Sequence, residues 1–244
     1  MSQQPIPAAL AIFLGTIILA ASLLPVQTLS ADGENPAKVH FSSLVPEPPP
    51  EASQAAVQGK KSFALLAKND KLAQELGFLS AAETADSKTA LGLPFSIVRL
   101  RVDLLRDFPP DADPTTVVVF GGEFIYPVTV DDQARSSLTV TRIRSGSLSD
   151  PTWRTTVWGS SRLIRLLDKA RKTTGVSSPS FALAIPELSR YFLGNMVGGK
   201  FWIIPLYSEP KLGLEEGVPI AAEVVFGKLV SELPLSTPES GKKP

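Results

Sequence analysis

Between residues 98 and 143 apolar and polar side chains alternate with the period of a β-strand that buries one face. The alternation runs through residues 98–104, and again through 124–130 and 135–143, on either side of the polar turn 131–134. The last two segments therefore predict a β-hairpin. Runs rich in β-branched and aromatic residues predict further strands at 117–120, 153–158, 181–185 and 200–207, with a turn-rich segment at 194–199.

Elsewhere apolar residues recur at helical spacing. A first stripe lies in residues 63–76 and ends at Gly77, and a capping box at Ser80–Glu83 opens a short helix that ends before Gly92. A third helix is predicted to run from 160 to 172, and a fourth starts at Pro219. The apolar stripes of the last two comprise Leu163, Leu166, Leu167 and Ala170, and Ala222, Phe226, Leu229 and Leu233.

Strands in pairs, with helices between the groups, favour an α+β fold in which helices pack mainly on one face of an antiparallel sheet. We place one domain in residues 60–235. The alternative is two related halves, about 95–172 and 173–235, because GGEFIYP at 121–127 resembles GGKFWIIP at 198–205. A glycine pair followed by an aromatic residue is also common where a strand begins. One undivided domain and two related halves therefore both remain open.

The N-terminal segment predicts export. Residues 1–31 carry no charged side chain, and residues 6–24 form an apolar run of nineteen residues. That run fits a cleaved signal peptide or a retained signal anchor that spans the bilayer. For cleavage, Thr28 and Ser30 supply small residues at the −3 and −1 positions before the cut, and Leu29 and Ala31 fit these positions less well. A buried helix of the domain is the remaining alternative. The lack of Lys or Arg before the apolar run argues against a standard signal peptide.

Residues 32–59 contain few large apolar side chains and include VPEPPPE at 45–51, so they predict a disordered, proline-rich linker. Such a linker spaces a domain from a membrane or simply leads into it. Residues 236–244 predict a disordered polar tail.

Composition excludes several classes of chemistry. The chain has no cysteine, which excludes disulfides, thiol nucleophiles and lipid attachment through cysteine. Its one histidine, His40, falls in the predicted linker, which argues against a Ser-His-Asp triad or a histidine metal site in the domain. We therefore predict no catalytic residues, no metal and no cofactor. An exported protein without cysteine suits a bacterial envelope.

Charge and aromatic residues concentrate in the middle of the chain. Residues 135–172 hold nine Lys or Arg against two Asp or Glu, although the whole chain is neutral, and every Trp and Tyr falls between residues 126 and 207. We expect a binding surface in this band, with Arg142 and Arg154 on one face of the sheet; its candidate residues are Arg142, Arg154, Trp158, Arg162, Arg165 and Lys169. The alternative is that Arg162, Arg165, Lys169 and Lys172 only solvate the outer face of a helix.

These patterns favour an exported envelope protein, periplasmic or extracellular, that binds a protein or an anionic surface without catalysing a reaction. It contacts the membrane through residues 6–24 only if the leader is retained, and nucleic acid is not an expected partner. The alternative is a periplasmic hydrolase that uses carboxylates or the Ser208/Lys211 pair, whose spacing matches Ser-x-x-Lys. Asp111 and Asp113 are expected to form a turn instead of a calcium loop. A third hypothesis is a scaffold with a hydrophobic surface.

Overall fold

The computed structural model describes residues 45–109, 111–143, 152–175 and 179–233. The predicted leader at 1–31, His40 and the polar tail at 236–244 lie outside these residues. Within the described ranges, every helix is too short or too polar to cross a bilayer. The structure combines helices with one large mixed sheet, which agrees with an α+β class.

Nine strands of the described residues form one sheet. They are β1 (Ala90–Leu91), β2 (Phe95–Leu100), β3 (Val118–Val130), β4 (Gln133–Ile143), β5 (Thr152–Trp158), β6 (Ser180–Ile185), β7 (Arg190–Val197), β8 (Lys200–Pro205) and β9 (Ile220–Ala221). The helices are α1 (Pro50–Leu66), α2 (Asp70–Glu75), α3 (Val102–Leu105), α4 (Ser161–Thr174) and α5 (Ala222–Val230). Short 3₁₀ turns occupy Ala81–Thr84, Pro114–Val117, Pro186–Leu188 and Pro210–Leu212.

The strands follow the order β5-β4-β3-β2-β6-β7-β8-β9, with β1 beside β3. All neighbours are antiparallel except β2 and β6, which are parallel in the centre. The expectation of a wholly antiparallel sheet is therefore wrong at this pair. After the edge strand β5 the chain passes through α4 and returns at the centre of the sheet, and a helical crossover of this kind allows a strand to join a parallel neighbour.

Helices cover both faces of the sheet, contrary to the expectation that they pack mainly on one. Residues Phe181, Leu183 and Ile185 of β6 pack with α5, whereas the intervening Ala182 and Ala184 pack with α4. Ser96 of β2 lies opposite Phe124 of β3 and Phe181 of β6, so the three side chains point to the same face. Phe124 belongs to the hydrophobic cluster that packs against α1, and α1 therefore lies on the same face as α5. The central strand β6 is buried on both faces, and its run of apolar residues lacks the alternation that would assign one of them to solvent.

Residues 50–59 are helical, which corrects their assignment to the disordered linker. The prolines that suggested an extended chain also begin α1, because proline fits the first turn of a helix. The buried side of α1 is a stripe of small residues at helical spacing that ends in an aromatic ring, namely Ala52, Ala56, Gly59 and Phe63. Leu65 and Leu66, which we expected in the buried stripe, are exposed.

The predicted hairpin is confirmed in β3 and β4. Its turn consists of two residues, Asp131 and Asp132, both with positive φ, and Val130 pairs with Gln133. The predicted turn at 194–199 is instead mostly strand β7, with the turn at Gly198–Gly199. Gly194 lies within this strand because the ring of Phe181 occupies the space that a Cβ would need. The strand predicted over 98–104 ends at Leu100, and α3 follows.

In each half of the sheet four strands precede a helix, although α3 is inserted between β2 and β3 only in the first half. Strands β2 to β5 precede α4, and strands β6 to β9 precede α5, with β2 and β6 adjacent. The two glycine pairs occupy different positions, however: Gly121 and Gly122 lie at a bulge within β3, whereas Gly198 and Gly199 form a turn. The relationship between the halves stays a prediction, and the glycine motif does not contribute to it.

Candidate functional site

The predicted binding residues divide between two parts of the structure. Arg142 lies on β4, Arg154 and Trp158 lie on the edge strand β5, and the remaining cations Arg162, Arg165 and Lys169 lie on α4. All five cations are exposed and Trp158 is partly buried. The fold therefore does not bring the six residues into one surface patch.

Arg142 and Arg154 lie on opposite faces of the sheet, which overturns the expectation that they share one. In the antiparallel ladder between β4 and β5, Arg142 is opposite Trp153 and Arg154 is opposite Thr141. Side chains that are opposite one another point to the same face, and neighbours along a strand point to opposite faces. Arg142 thus shares its face with Trp153, and Arg154 shares the other face with Thr141.

The cations of α4 form the wet face of an amphipathic helix. Ile164, Leu167 and Ala170 are buried against the sheet. Lys169 pairs with Glu216 at 2.6 Å, and the Nε of Arg165 donates to the carbonyl oxygen of Ser161. Lys169 and Arg165 therefore already have partners within the protein. This agrees with the alternative that the cations of α4 only solvate the outer face of a helix.

A groove with a volume of about 600 Å³ runs between α1 and β5. We call it the tryptophan groove. One wall is a flank of α1 and the other is the edge strand, including both predicted residues of β5; together they comprise Glu51, Gln54, Ala55, Gln58, Gly59, Ser62, Thr152, Trp153, Arg154, Thr155 and Trp158. Sequence reasoning missed the helical wall because it assigned residues 50–59 to the linker.

Close packing holds the two walls of the tryptophan groove together. A Cβ at Gly59 would overlap the side chain of Thr155, so α1 approaches β5 more closely than a larger residue allows. The Oγ1 of Thr155 donates to the carbonyl oxygen of Ala55 at 2.9 Å, and the indole Nε1 of Trp158 donates to that of Gly59 at 3.0 Å. Trp153 packs on Phe124 with 5.4 Å between ring centroids. The groove is therefore preformed by contacts that span about a hundred residues of chain.

Its chemistry combines indole surface with amide and hydroxyl groups and a single cation. Gln54, Gln58 and Ser62 supply donors and acceptors. Arg154 lies along the edge-strand wall with its side chain on the other face of the sheet, and it makes no ion pair with any described residue. The Oγ1 of Thr152 is buried and has no hydrogen-bond partner among the described residues. Apolar walls with a few placed polar groups are typical of a binding site.

A smaller cavity of about 240 Å³ carries the acidic residues Asp111, Asp113 and Glu223. The Oδ1 of Asp113 accepts the backbone N–H of Thr115 at 2.9 Å, so this carboxylate caps a 3₁₀ turn, as the sequence predicted for the Asp111–Pro114 segment. Across the described ranges, no three acidic or histidine side chains come close enough to hold a metal ion. Ser208, from the Ser-x-x-Lys match, accepts the backbone N–H of Glu216.

Glu209 is a carboxyl group outside these cavities whose pKa is raised. Burial raises the pKa of Glu209 above its ordinary value, and Glu232 adds to the rise, although Arg190 opposes it. Arg190 pairs with Glu209 at 2.7 Å and with Glu232 at 3.4 Å. This cluster joins β7, the segment after β8 and the end of α5, so we assign it a structural role.

No protein-family model, no curated protein and no solved structure matches the chain. The geometry of the site therefore carries the functional argument.

Proposed function

We propose that the chain is an exported envelope protein with a binding domain that performs no catalysis and recognises another protein through the tryptophan groove. The observation that supports this is a preformed groove of about 600 Å³, lined by Trp153 and Trp158 along the edge of a sheet. Tryptophan supplies a large apolar surface together with a polar N–H, and it is enriched where proteins bind one another.

A protein fits this groove better than an anionic surface does. The residues along its walls include one acid, Glu51, and one cation, Arg154, whose side chain lies on the other face of the sheet, so the groove has no excess of positive charge. The cations of α4 that would suit an anionic surface are partly paired, and they lie on the opposite face of the sheet. Attraction to anionic lipids needs several clustered cations, which the groove lacks.

Site-specific photocrosslinking in the living cell tests this proposal. A crosslinking amino acid at Gln58, which is exposed in the groove, should trap another polypeptide. The same amino acid at Thr173, which is exposed on α4, should not. Absence of crosslinks at Gln58, or equal trapping at both positions, contradicts the proposed site.

Export through the leader is a separate part of the proposal. If residues 1–31 are a signal peptide, the mature chain begins at Ala31 or Asp32 and is periplasmic or secreted; if residues 6–24 are retained, the domain is tethered to the membrane. Mass spectrometry of the N-terminus of the purified protein distinguishes these outcomes. Recovery of an uncleaved chain from the cytoplasmic fraction contradicts export.

The alternative function is a hydrolase that uses carboxylates, and the cavity with Asp111, Asp113 and Glu223 is the observation that favours it. Carboxylates in a concave site are the material of general acid–base catalysis. Turnover of chromogenic ester or glycoside substrates, abolished by Asp111→Asn and Glu223→Gln, would establish this function. Turnover that survives both substitutions contradicts it.

A further inference from the structure

We propose that the ligand of the tryptophan groove is an extended segment of another polypeptide, which adds to β5 as a new strand and places an aspartate or glutamate beside Arg154. This inference rests on the proposed function and specifies how the same site binds and which chemistry it selects. Three observations carry it: the unpaired edge of β5, the position of the groove beside that edge, and the unpaired charge of Arg154.

The backbone of β5 offers hydrogen bonds on its outer edge. β5 is seven residues long and pairs with β4 but with no other strand of the described residues. The strand at the opposite end of the sheet, β9, has two residues. An exposed edge strand presents a row of backbone N–H and carbonyl groups, and an extended peptide satisfies them by adding a strand.

The groove accepts the side chains of such a strand. Side chains of an added strand alternate between the two faces of the sheet, so every second one enters the space between α1 and β5. The helical wall extends from Glu51 to Ser62, which is about 16 Å at 1.5 Å per residue. That length matches about five residues of extended chain at 3.3 Å each. Apolar side chains at these alternate positions pack against Trp153 and Trp158.

The intervening side chains lie on the other face, where Arg154 selects their charge. Arg154 is exposed, and the residue opposite it in β4 is the neutral Thr141. β5 carries no carboxylate. A carboxylate of the added strand therefore meets Arg154 without competition from an acidic residue of β5. The ligand is thus a segment with alternating apolar and polar residues and an acidic residue at the polar position beside Arg154.

Binding of short fluorescent peptides to the purified full chain, measured by fluorescence anisotropy, tests the inference. The first peptide alternates valine and threonine and replaces a central threonine with glutamate, and the second carries lysine at that position. The glutamate peptide should bind about fivefold more tightly than the lysine peptide, which is the upper range for an exposed ion pair. The substitution Arg154→Glu should reverse that preference, whereas Arg162→Glu, the same charge change on α4, should leave it unchanged.

Backbone methylation separates strand addition from other modes of binding. Methylating the peptide nitrogens that face β5 removes the inter-strand hydrogen bonds and should weaken binding by about tenfold or more when two are lost. Methylating the intervening nitrogens, which point away from the sheet, should weaken it less than twofold. Equal effects of the two methylation patterns overturn strand addition.

The outcomes distinguish the inference from the proposed function. If the peptides do not bind but Gln58 still crosslinks to a protein, the strand-addition mode is wrong and the binding function stands. If neither result is obtained, both are wrong. If vesicles of phosphatidylglycerol bind the chain and Arg154→Glu abolishes that binding, the ligand is an anionic surface and the inference is overturned.

Discussion

The indole nitrogen of Trp158 donates a hydrogen bond to the carbonyl oxygen of Gly59 at 3.0 Å, across 99 positions of the chain. One turn earlier on the helix, the hydroxyl of Thr155 makes the equivalent bond to Ala55. These two bonds join the first helix to the edge strand and define the floor of the tryptophan groove. Both the stability of the domain and the shape of its candidate site therefore depend on this contact.

Replacing Gly59 with alanine should destabilise the protein. A methyl group at this position overlaps the side chain of Thr155, and overpacking of this kind costs about 1 to 3 kcal/mol. The gain in helix propensity, about 1 kcal/mol, offsets only part of that cost. The free energy of unfolding from urea titration measures the net loss.

Gly227→Ala on α5 is the matched control, because no atom lies within 4 Å of a Cβ placed there. We expect this variant to gain about 0.5 to 1 kcal/mol from helix propensity alone. If both substitutions stabilise the protein equally, the close approach of α1 to β5 is not present in solution.

Replacing Trp158 with phenylalanine should lower the free energy of unfolding by about 1 kcal/mol. Phenylalanine keeps an aromatic ring of smaller size but loses the N–H donor to Gly59, and a hydrogen bond of this kind contributes about that amount beyond the loss of packing. The urea midpoint should fall while its slope stays the same. Trp202→Phe on β8 is the control, since Trp202 is partly buried like Trp158. A loss of the same size in both variants would argue against the Trp158 bond.

Replacing Asp132 with glycine should stabilise the β3–β4 hairpin. Asp132 has a φ of 58°, and a left-handed conformation costs a residue with a Cβ about 1 kcal/mol relative to glycine. Differential scanning calorimetry should show a higher Tm. The converse change, Gly199→Ala in the β7–β8 turn at a φ of 76°, should lower Tm with no steric contribution, because nothing lies within 4 Å of its Cβ. Shifts of the same sign in both variants would contradict the two turn geometries.

Replacing Glu209 with glutamine should change how stability depends on pH. Burial raises the pKa of Glu209 in the folded protein, so the folded state holds this proton more tightly than the unfolded state does. Its contribution to stability is therefore fully present below the ordinary pKa of 4.5 and is lost as pH rises through the folded pKa. Relative to the native chain, the glutamine variant should become progressively more stable as pH rises from the ordinary pKa of 4.5 through the folded pKa.

Thermal unfolding at several pH values between about 4 and about 7 measures this difference. Glu187→Gln removes a negative charge from an exposed position near Arg190 and serves as the control. A constant difference between Glu209→Gln and the native chain across the pH range would show that the pKa of Glu209 is not raised on folding.

Local periodicity correctly predicted the β3–β4 hairpin and the helices α4 and α5, but not the stripe at 63–76, where Leu65 and Leu66 are exposed. The β3–β4 hairpin is one case, because two alternating segments flank a polar turn. The helix α4 is another, because Leu167 and Ala170 repeat at helical spacing and are buried. In both, the signal lies within about twenty residues of chain and does not depend on what the element packs against.

The tryptophan groove was predicted only in part. Arg154 and Trp158 were identified from the concentration of cations and aromatic residues, but the helical wall was not. Its buried stripe consists of Ala52, Ala56 and Gly59, which contribute little hydrophobicity and lie directly after prolines. The spacing of these small residues, followed by Phe63, is the signal that was available in the sequence.

Residue types and short-range periodicity account for the α+β class, the β3–β4 hairpin, the helices α4 and α5 and the absence of cysteine. Four features arise only when distant segments pack together: the parallel pairing of β2 with β6, the helices on both faces, the separation of Arg142 from Arg154, and the approach of Gly59 to Thr155. These features depend on which distant segments of the chain pack against one another. The free energy that favours one arrangement is summed over the whole core, so no local sequence pattern predicts it.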